Sequence, residues 1–172
     1  MATVRKARLD DAREIATIHL TSYNSTYAGV LPADYLASQS LDSRIATWEH
    51  RLREPAPKVG IYVAGHPEGG SAGFAWGGPA RSATAGYEAE LYSIYLISEA
   101  QRHGLGTSLV KTLAKYLLAQ ELYSMAVWVL AANSSRLFYE ALGGRLVAER
   151  QIELGGQPFL EVAYAWTDLS SL

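Results

Sequence analysis

Residues 87–130 constrain this chain more than any other stretch. Tyr87 to Ile97 is a long strand rich in Tyr, Ile and Leu, and Ala100-Gln101-Arg102-His103-Gly104-Leu105-Gly106-Thr107 follows it. Leu105, Leu109, Leu113, Tyr116 and Leu117 then form one stripe of a helix read from Gly104 to Gln120. Met125 to Leu130 reads as a second buried strand. Strand, helix, strand in this order makes a βαβ crossover. The two glycines stand at the helix entry, where backbone N–H groups lack intrahelical partners and the helix dipole favours an anion. A glycine there removes the side chain that would hold an anion away.

Around this unit the chain reads as an antiparallel meander and a terminal hairpin. Ala2 to Ala7 is a short strand, and Asp10 is the expected N-cap of a helix from about Asp11 to Tyr23 that fades toward Gly29. Pro32 to Ser38 is a short helix, and Asp42 is the expected cap of another ending near Arg53. Val59 to Ala64 and Ala72 to Trp76 form a hairpin broken by Gly77-Gly78-Pro79. Ser134 to Leu142 is a short helix stopped by Gly143-Gly144, and Arg145 to Leu154 and Pro158 to Trp166 are strands about the Gly155-Gly156 turn. The expected class is α/β (α+β), one domain over residues 1–172, without the regular alternation of a doubly wound fold.

Composition removes several function classes. The net charge of −2 argues against a nucleic-acid partner. Without cysteine there is no disulfide, thiolate metal site or thiol nucleophile. His19, His50, His66 and His103 are scattered, so no metal is expected. The start, MATVRKARLDDAREI, has no apolar signal region, and no run approaches the ~18 apolar residues of a membrane span. A soluble, cytoplasmic protein with no membrane partner is expected.

The glycine turn has competing readings. A Walker loop needs Lys after its last glycine, and here Gly106 is followed by Thr107 and Ser108. A dinucleotide fingerprint needs a third glycine where Leu109 stands, and an acidic residue where the next strand ends in Leu130-Ala131-Ala132. The turn could also be no more than a tight strand-to-helix connection.

Three motifs together go further. Gln101-x-x-Gly104-x-Gly106, the strand Glu90-Leu91-Tyr92-Ser93-Ile94-Tyr95-Leu96, and Asn133-Ser134-Ser135-Arg136-Leu137-Phe138-Tyr139-Glu140-Ala141-Leu142-Gly143-Gly144 resemble, in order, the motifs of the GCN5-related N-acetyltransferases, the GNAT superfamily. The element order matches that family from residue 2 to about 167, and Tyr27-Ala28-Gly29-Val30-Leu31-Pro32 resembles a bacterial branch of it. The resemblance implies a mixed, mostly antiparallel sheet of about seven strands, splayed between the fourth and fifth, with helices on both faces. It implies transfer of acetyl from acetyl-CoA to a primary amine by direct attack in a ternary complex. A non-catalytic acyl-CoA-binding module on the same fold is the alternative. Ser98 and Ala100 depart from residues frequent in the family.

What the resemblance implies for single residues is as follows. Backbone N–H groups from Arg102 through His103, Gly104, Leu105 and Gly106 to Thr107 seat the coenzyme pyrophosphate, with Gln101 in the motif. Ile94, Tyr95 and Leu96 pair with the pantetheine arm, and the Leu96 N–H polarises the thioester carbonyl. Tyr139 protonates the departing thiolate, or is only a core aromatic beside Phe138. Glu90 is the base through water, with Glu88 as a second candidate and a surface glutamate as the plain reading. Asn133 binds coenzyme, caps the following helix, or both; Arg136 is near the phosphates or merely solvated. Tyr23, Tyr27 and Tyr92 line an acceptor pocket. The four tryptophans are core or interface aromatics. The acceptor is a small-molecule amine or a protein or peptide amine, and a homodimer is possible because dimers are common among relatives.

Overall fold

The computed structural model describes residues 3–81 and 86–172; Ala2, the expected start of the first strand, lies outside them. The elements in chain order are β1 (Val4–Lys6), α1 (Ala12–Tyr27), α2 (Ala33–Ala37), α3 (Leu41–Arg53), β2 (Gly60–Gly65), β3 (Ser71–Pro79) and β4 (Ala89–Leu96). After these come α4 (Leu105–Ala119), β5 (Met125–Leu130), α5 (Arg136–Ala141), β6 (Arg145–Leu154) and β7 (Gln157–Trp166). The strands form one sheet in the order β1-β2-β3-β4-β5-β7-β6. Every pairing is antiparallel except β4 with β5, the pair joined by the α4 crossover.

That parallel pair is short. It holds only at Ala89 opposite Met125 and Glu90 opposite Ala126. Beyond Glu90 the two strands part. The separation coincides with a bulge on β4: Trp76 faces Ser93 while Gly77 faces Leu91, leaving Tyr92 as the extra residue. A bulge bends its strand and exchanges the faces of the residues after it. Ala89 and Leu91, and after the bulge Ile94 and Leu96, therefore pack on the α4 side, whereas Tyr95 packs on the α1 side.

Each face of the sheet is covered for a reason legible in the helices. Leu109, Val110, Leu113 and Leu117 of α4 are fully buried, each contributing about 1.5–3 kcal/mol of transfer free energy. On the other face Ile15, Ala16 and Ile18 of α1 and Trp48 of α3 enclose Ile61, Val63 and Phe74. A third cluster, around Tyr27, Leu31 and Leu130, includes Tyr35, Ile152 and Phe159, and so joins α1 and α2 to the β6–β7 hairpin. No helix among the described residues is long and apolar enough to cross a membrane.

Three local expectations are corrected. Asp11, not Asp10, organises the entry to α1: its carboxylate accepts the Arg8 N–H at 2.6 Å and pairs with Arg5 at 2.8 Å, which inserts a short 3-10 turn before the helix. Those hydrogen bonds, Arg5 foremost, hold the Asp11 carboxyl below its ordinary range. Ser40, not Asp42, caps α3, its hydroxyl accepting from the Ser43 N–H at 3.3 Å. Gly77-Gly78 does not break the hairpin, because β3 runs through both to Pro79. A Cβ at Gly77 would lie 2.7 Å from the Glu90 carbonyl oxygen and 2.8 Å from Leu113, so glycine there lets β4 and α4 approach closely.

Candidate active site

A cavity of about 620 Å³ opens along the parted edge of β4. Ile94, Tyr95 and Leu96 form one wall, Gln101, Arg102, Gly104, Gly106 and Thr107 the second, and Ser134, Ser135, Leu137, Phe138 and Tyr139 the third. Ser22 and Thr26 of α1 close it. The fold thus brings the three sequence motifs to one space. His103 is exposed and does not line the cavity, and Leu105 is buried in the core instead.

The turn into α4 has an unusual backbone. Arg102 has φ 61 and Gly104 φ 81, left-handed values separated by one residue. Glycine takes this conformation freely, while Arg102 bears strain of the kind that is kept at binding sites. The first backbone bond of the helix is Ser108 N–H to the Gly104 carbonyl, at 3.0 Å. None of the N–H groups from Arg102 to Thr107 has a backbone acceptor among the described residues. Free donors on such a turn, at the positive end of a helix, make a concave seat for an oxyanion.

The β4 edge supplies further donors. The Ile97 N–H is bonded toward β3, to the Ala72 carbonyl at 2.9 Å. Successive N–H groups of a strand point to opposite edges, so those of Leu96 and Ile94 point toward β5, where the ladder has ended. The Leu96 carbonyl accepts the Gln101 side-chain N–H at 3.2 Å and the Ser22 hydroxyl at 3.5 Å. Ser22 and Thr26 were not singled out in the sequence. They are unremarkable polar positions on an amphipathic helix, and only the docking of α1 beside β4 brings them to the cavity.

Tyr139 borders both this cavity and a smaller one of about 60 Å³ between the parted strands. Its side chain is buried among Phe138, Tyr164 and Trp166. Burial first, and then Tyr27, raise its pKa, so the phenol is held neutral with its proton available. The smaller cavity is also lined by Tyr27, Tyr92, Ser93, Trp128 and Asn133. The Ser93 hydroxyl there is buried without a partner among the described residues. Asn133 donates to the Tyr27 hydroxyl at 3.1 Å and accepts the Ser135 N–H at 2.8 Å, so it braces the turn before α5 while facing the smaller cavity. Arg136 is committed elsewhere: it donates to the Tyr164 hydroxyl at 3.1 Å and the Ala131 carbonyl at 3.0 Å. Tyr23 lies against Tyr27, ring centroids 4.7 Å apart, but borders neither cavity.

The two glutamates separate. Glu90 is 3% exposed, at the last rung of the β4–β5 ladder, and borders neither cavity. Its Oε2 accepts from Arg81 Nη2 at 2.6 Å and Nε at 3.0 Å, and among the described residues its Oε1 accepts only the Arg81 backbone N–H at 3.3 Å. Glu88 precedes β4 and accepts the Tyr123 N–H at 2.6 Å, which ties it to the turn between α4 and β5 and away from both cavities. No group of three or more metal-ligating side chains occurs among the described residues.

The family pattern described as FR47-like protein matches residues 80–152, the span that carries β4, the turn, α4 and α5. The "uncharacterized N-acetyltransferase YuaI" of Bacillus subtilis strain 168 is 41% identical over 172 residues, covering 100% of this chain and 96% of that protein. The chain belongs to the GNAT N-acetyltransferases. Solved GNAT structures agree with the fold. The phosphinothricin acetyltransferase of Sinorhizobium meliloti, in complex with acetyl-CoA, superposes with a TM-score of 0.71 at 24% identity, covering 96% of this chain and 87% of that one. The structure of yncA from Salmonella typhimurium with its cofactor acetyl-CoA gives 0.71 at 20% identity over 98% of this chain and 94% of that one. The splayed sheet and the glycine turn are therefore features of a GNAT enzyme fold and not of a doubly wound nucleotide-binding one.

Proposed function

We propose that the protein transfers acetyl from acetyl-CoA to a primary amine by direct attack in a ternary complex. The observation that carries this is the row of N–H groups from Arg102 to Thr107, without a backbone acceptor among the described residues, on the turn at one end of a cavity that runs along the open edge of β4 to Tyr139. The turn holds the pyrophosphate of the coenzyme. The Ile94 and Leu96 backbone pairs with the pantetheine arm as an added strand would, and the Leu96 N–H stabilises the oxyanion that develops on the thioester carbonyl. Gln101 and Ser22, bonded to the Leu96 carbonyl, fix that edge.

The amine reaches the carbonyl carbon through the gap between β4 and β5. The C–N bond forms and the C–S bond breaks. Glu90 takes the amine proton through water at Oε1, the oxygen that Arg81 engages only through its backbone N–H, at 3.3 Å, among the described residues. Tyr139 gives its proton to the departing sulfur and regains one from water. Because burial disfavours the phenolate, donation and recovery of that proton are closely coupled. Asn133 and Tyr27 shape the gap and belong to the amine side. The reaction is taken to be cytoplasmic. A screen of primary amines, following release of the coenzyme thiol, tests the reading. Turnover by at least one amine, lost on acetylating that amine beforehand, is expected. Acetyl-CoA binding without turnover across amine classes would overturn the enzyme reading in favour of a binding module.

A further inference from the structure

An aromatic shelf on the α1–α3 face leads away from the gap. Tyr92 lines the gap, its ring centroid 4.7 Å from that of Trp76, which in turn lies 5.3 Å from that of Trp48. Two guanidinium groups rest on this shelf. Arg51 lies 3.9 Å from the Trp76 centroid and 4.8 Å from that of Trp48, and Arg81 lies 4.2 Å from that of Tyr92 and 5.6 Å from that of Trp76.

The charge here is unbalanced. Glu90 neutralises Arg81 and orients it, leaving Arg81 Nη1 without an acceptor among the described residues. Arg51 is half-buried, yet it has no ion pair or hydrogen-bond acceptor among the described residues. Burial first, and then the cations Arg81 and Arg44, pull its pKa down to about 10. His19, against Trp48 on the same face, is held neutral by burial first and supplies no counter-charge. A half-buried cation without a counter-ion is costly, and guanidinium groups stacked on rings present their N–H edges in a plane that matches an oxoacid.

We infer that the acceptor is a small amine that also carries an oxoacid group, a carboxylate or a phosphorus oxoacid, bound by Arg51 with help from Arg81. This rests on the acetyl-transfer reading for the word acceptor, but the anion site itself does not. The shelf then sets the distance between the acid group and the amine, which lies in the gap beside Tyr92. Binding this way supplies the missing counter-ion.

The test reads Arg51 directly. Guanidinium Nε–H signals are followed by NMR in the CoA-saturated protein during titration with acetate and with methylphosphonate, and the Arg51→Met variant assigns the Arg51 signal. A saturable shift at Arg51 is expected. Shifts that stay linear, or that are the same at every arginine, overturn the proposal. A second measurement compares matched acceptors, each amino acid against its primary amide. The acid is expected to show a KM roughly 10–100-fold lower, a difference that Arg51→Met removes while leaving acetyl-CoA affinity unchanged. Amides used as well as acids would overturn the inference. Failure of the wild-type protein to bind acetyl-CoA would instead break the acetyl-transfer reading, and the arginine titration would still decide the anion site.

Discussion

Tyr139→Phe is the sharpest probe of the chemistry, because the fold makes so little use of the hydroxyl. The ring is 5% exposed and packs between Phe138 and Trp166, contacts that phenylalanine keeps. No hydrogen bond ties the hydroxyl to another described residue, so its removal orphans no buried group. The expected change in stability is within about 1 kcal/mol, a shift in Tm of no more than about 4 °C for a chain of this size. The catalytic loss is expected to be far larger. A positioned general acid contributes about 10²–10⁴-fold, which is about 2.7–5.5 kcal/mol of transition-state stabilisation. The assay is steady-state thiol release with an acceptor from the amine screen, beside calorimetric titration of acetyl-CoA and a thermal melt. A kcat lowered by roughly 100-fold or more, with coenzyme affinity and Tm preserved, is the expected result. A kcat within about threefold of wild type would refute the acid role and leave Tyr139 as a core aromatic.

Three other outcomes follow from the same structure. Glu90→Gln lowers kcat by roughly 100-fold if Glu90 is the base, whereas Arg81→Met, which removes the Glu90 partner and part of the acceptor's anion site, raises KM but costs much less in kcat; equal losses in kcat would make Glu90 a positioning residue. His19 is pulled down to about 3 by burial first and by Arg44 and Arg51 after it, while the unfolded chain protonates near 6.5. Its contribution to stability is therefore whole above pH 6.5 and is lost toward pH 3, at up to about 1.4 kcal/mol per pH unit. Urea unfolding across that window should show a slope that His19→Gln flattens, and an unchanged slope would contradict this. Tyr92 is raised to about 12, chiefly by burial, so the stability it contributes is whole below pH 10 and fades as pH rises through 12. Urea unfolding across that alkaline range should show a loss that Tyr92→Phe reduces, and an equal loss in the variant would contradict this.

Much of the fold was legible because its signals are local. The apolar stripe of α4, the β-rich run before it and the Gly155-Gly156 turn each follow from a period or a turn residue, and the glycine motif marked one wall of the cavity. The errors were local too. Asp10 and Asp42 are good caps by residue type, but Asp11 and Ser40 win because of partners three residues away, Arg8 and Ser43. Gly77 reads as a breaker in one dimension and serves close packing in three. What sequence could not supply is the pairing of side chains brought together by topology. The engagement of Glu90 by Arg81, the diversion of Glu88 to Tyr123, and the arrival of Ser22 beside Leu96 depend on where the bulge at Tyr92 and the docking of α1 put them. Trp48 and Trp76 read as core aromatics, and nothing in their spacing announces two arginines on their faces.

The central claim is that the turn from Gln101 to Thr107 seats the coenzyme. Calorimetric titration with acetyl-CoA, run on the wild-type protein and on Gly104→Trp with a thermal melt of each, tests it most directly. Saturable binding by the wild type, abolished in a variant that still melts cooperatively, is the expected result. A wild-type protein that does not bind acetyl-CoA would reduce the turn to a connection between strand and helix, and the roles given to Leu96, Glu90 and Tyr139 would fall with it.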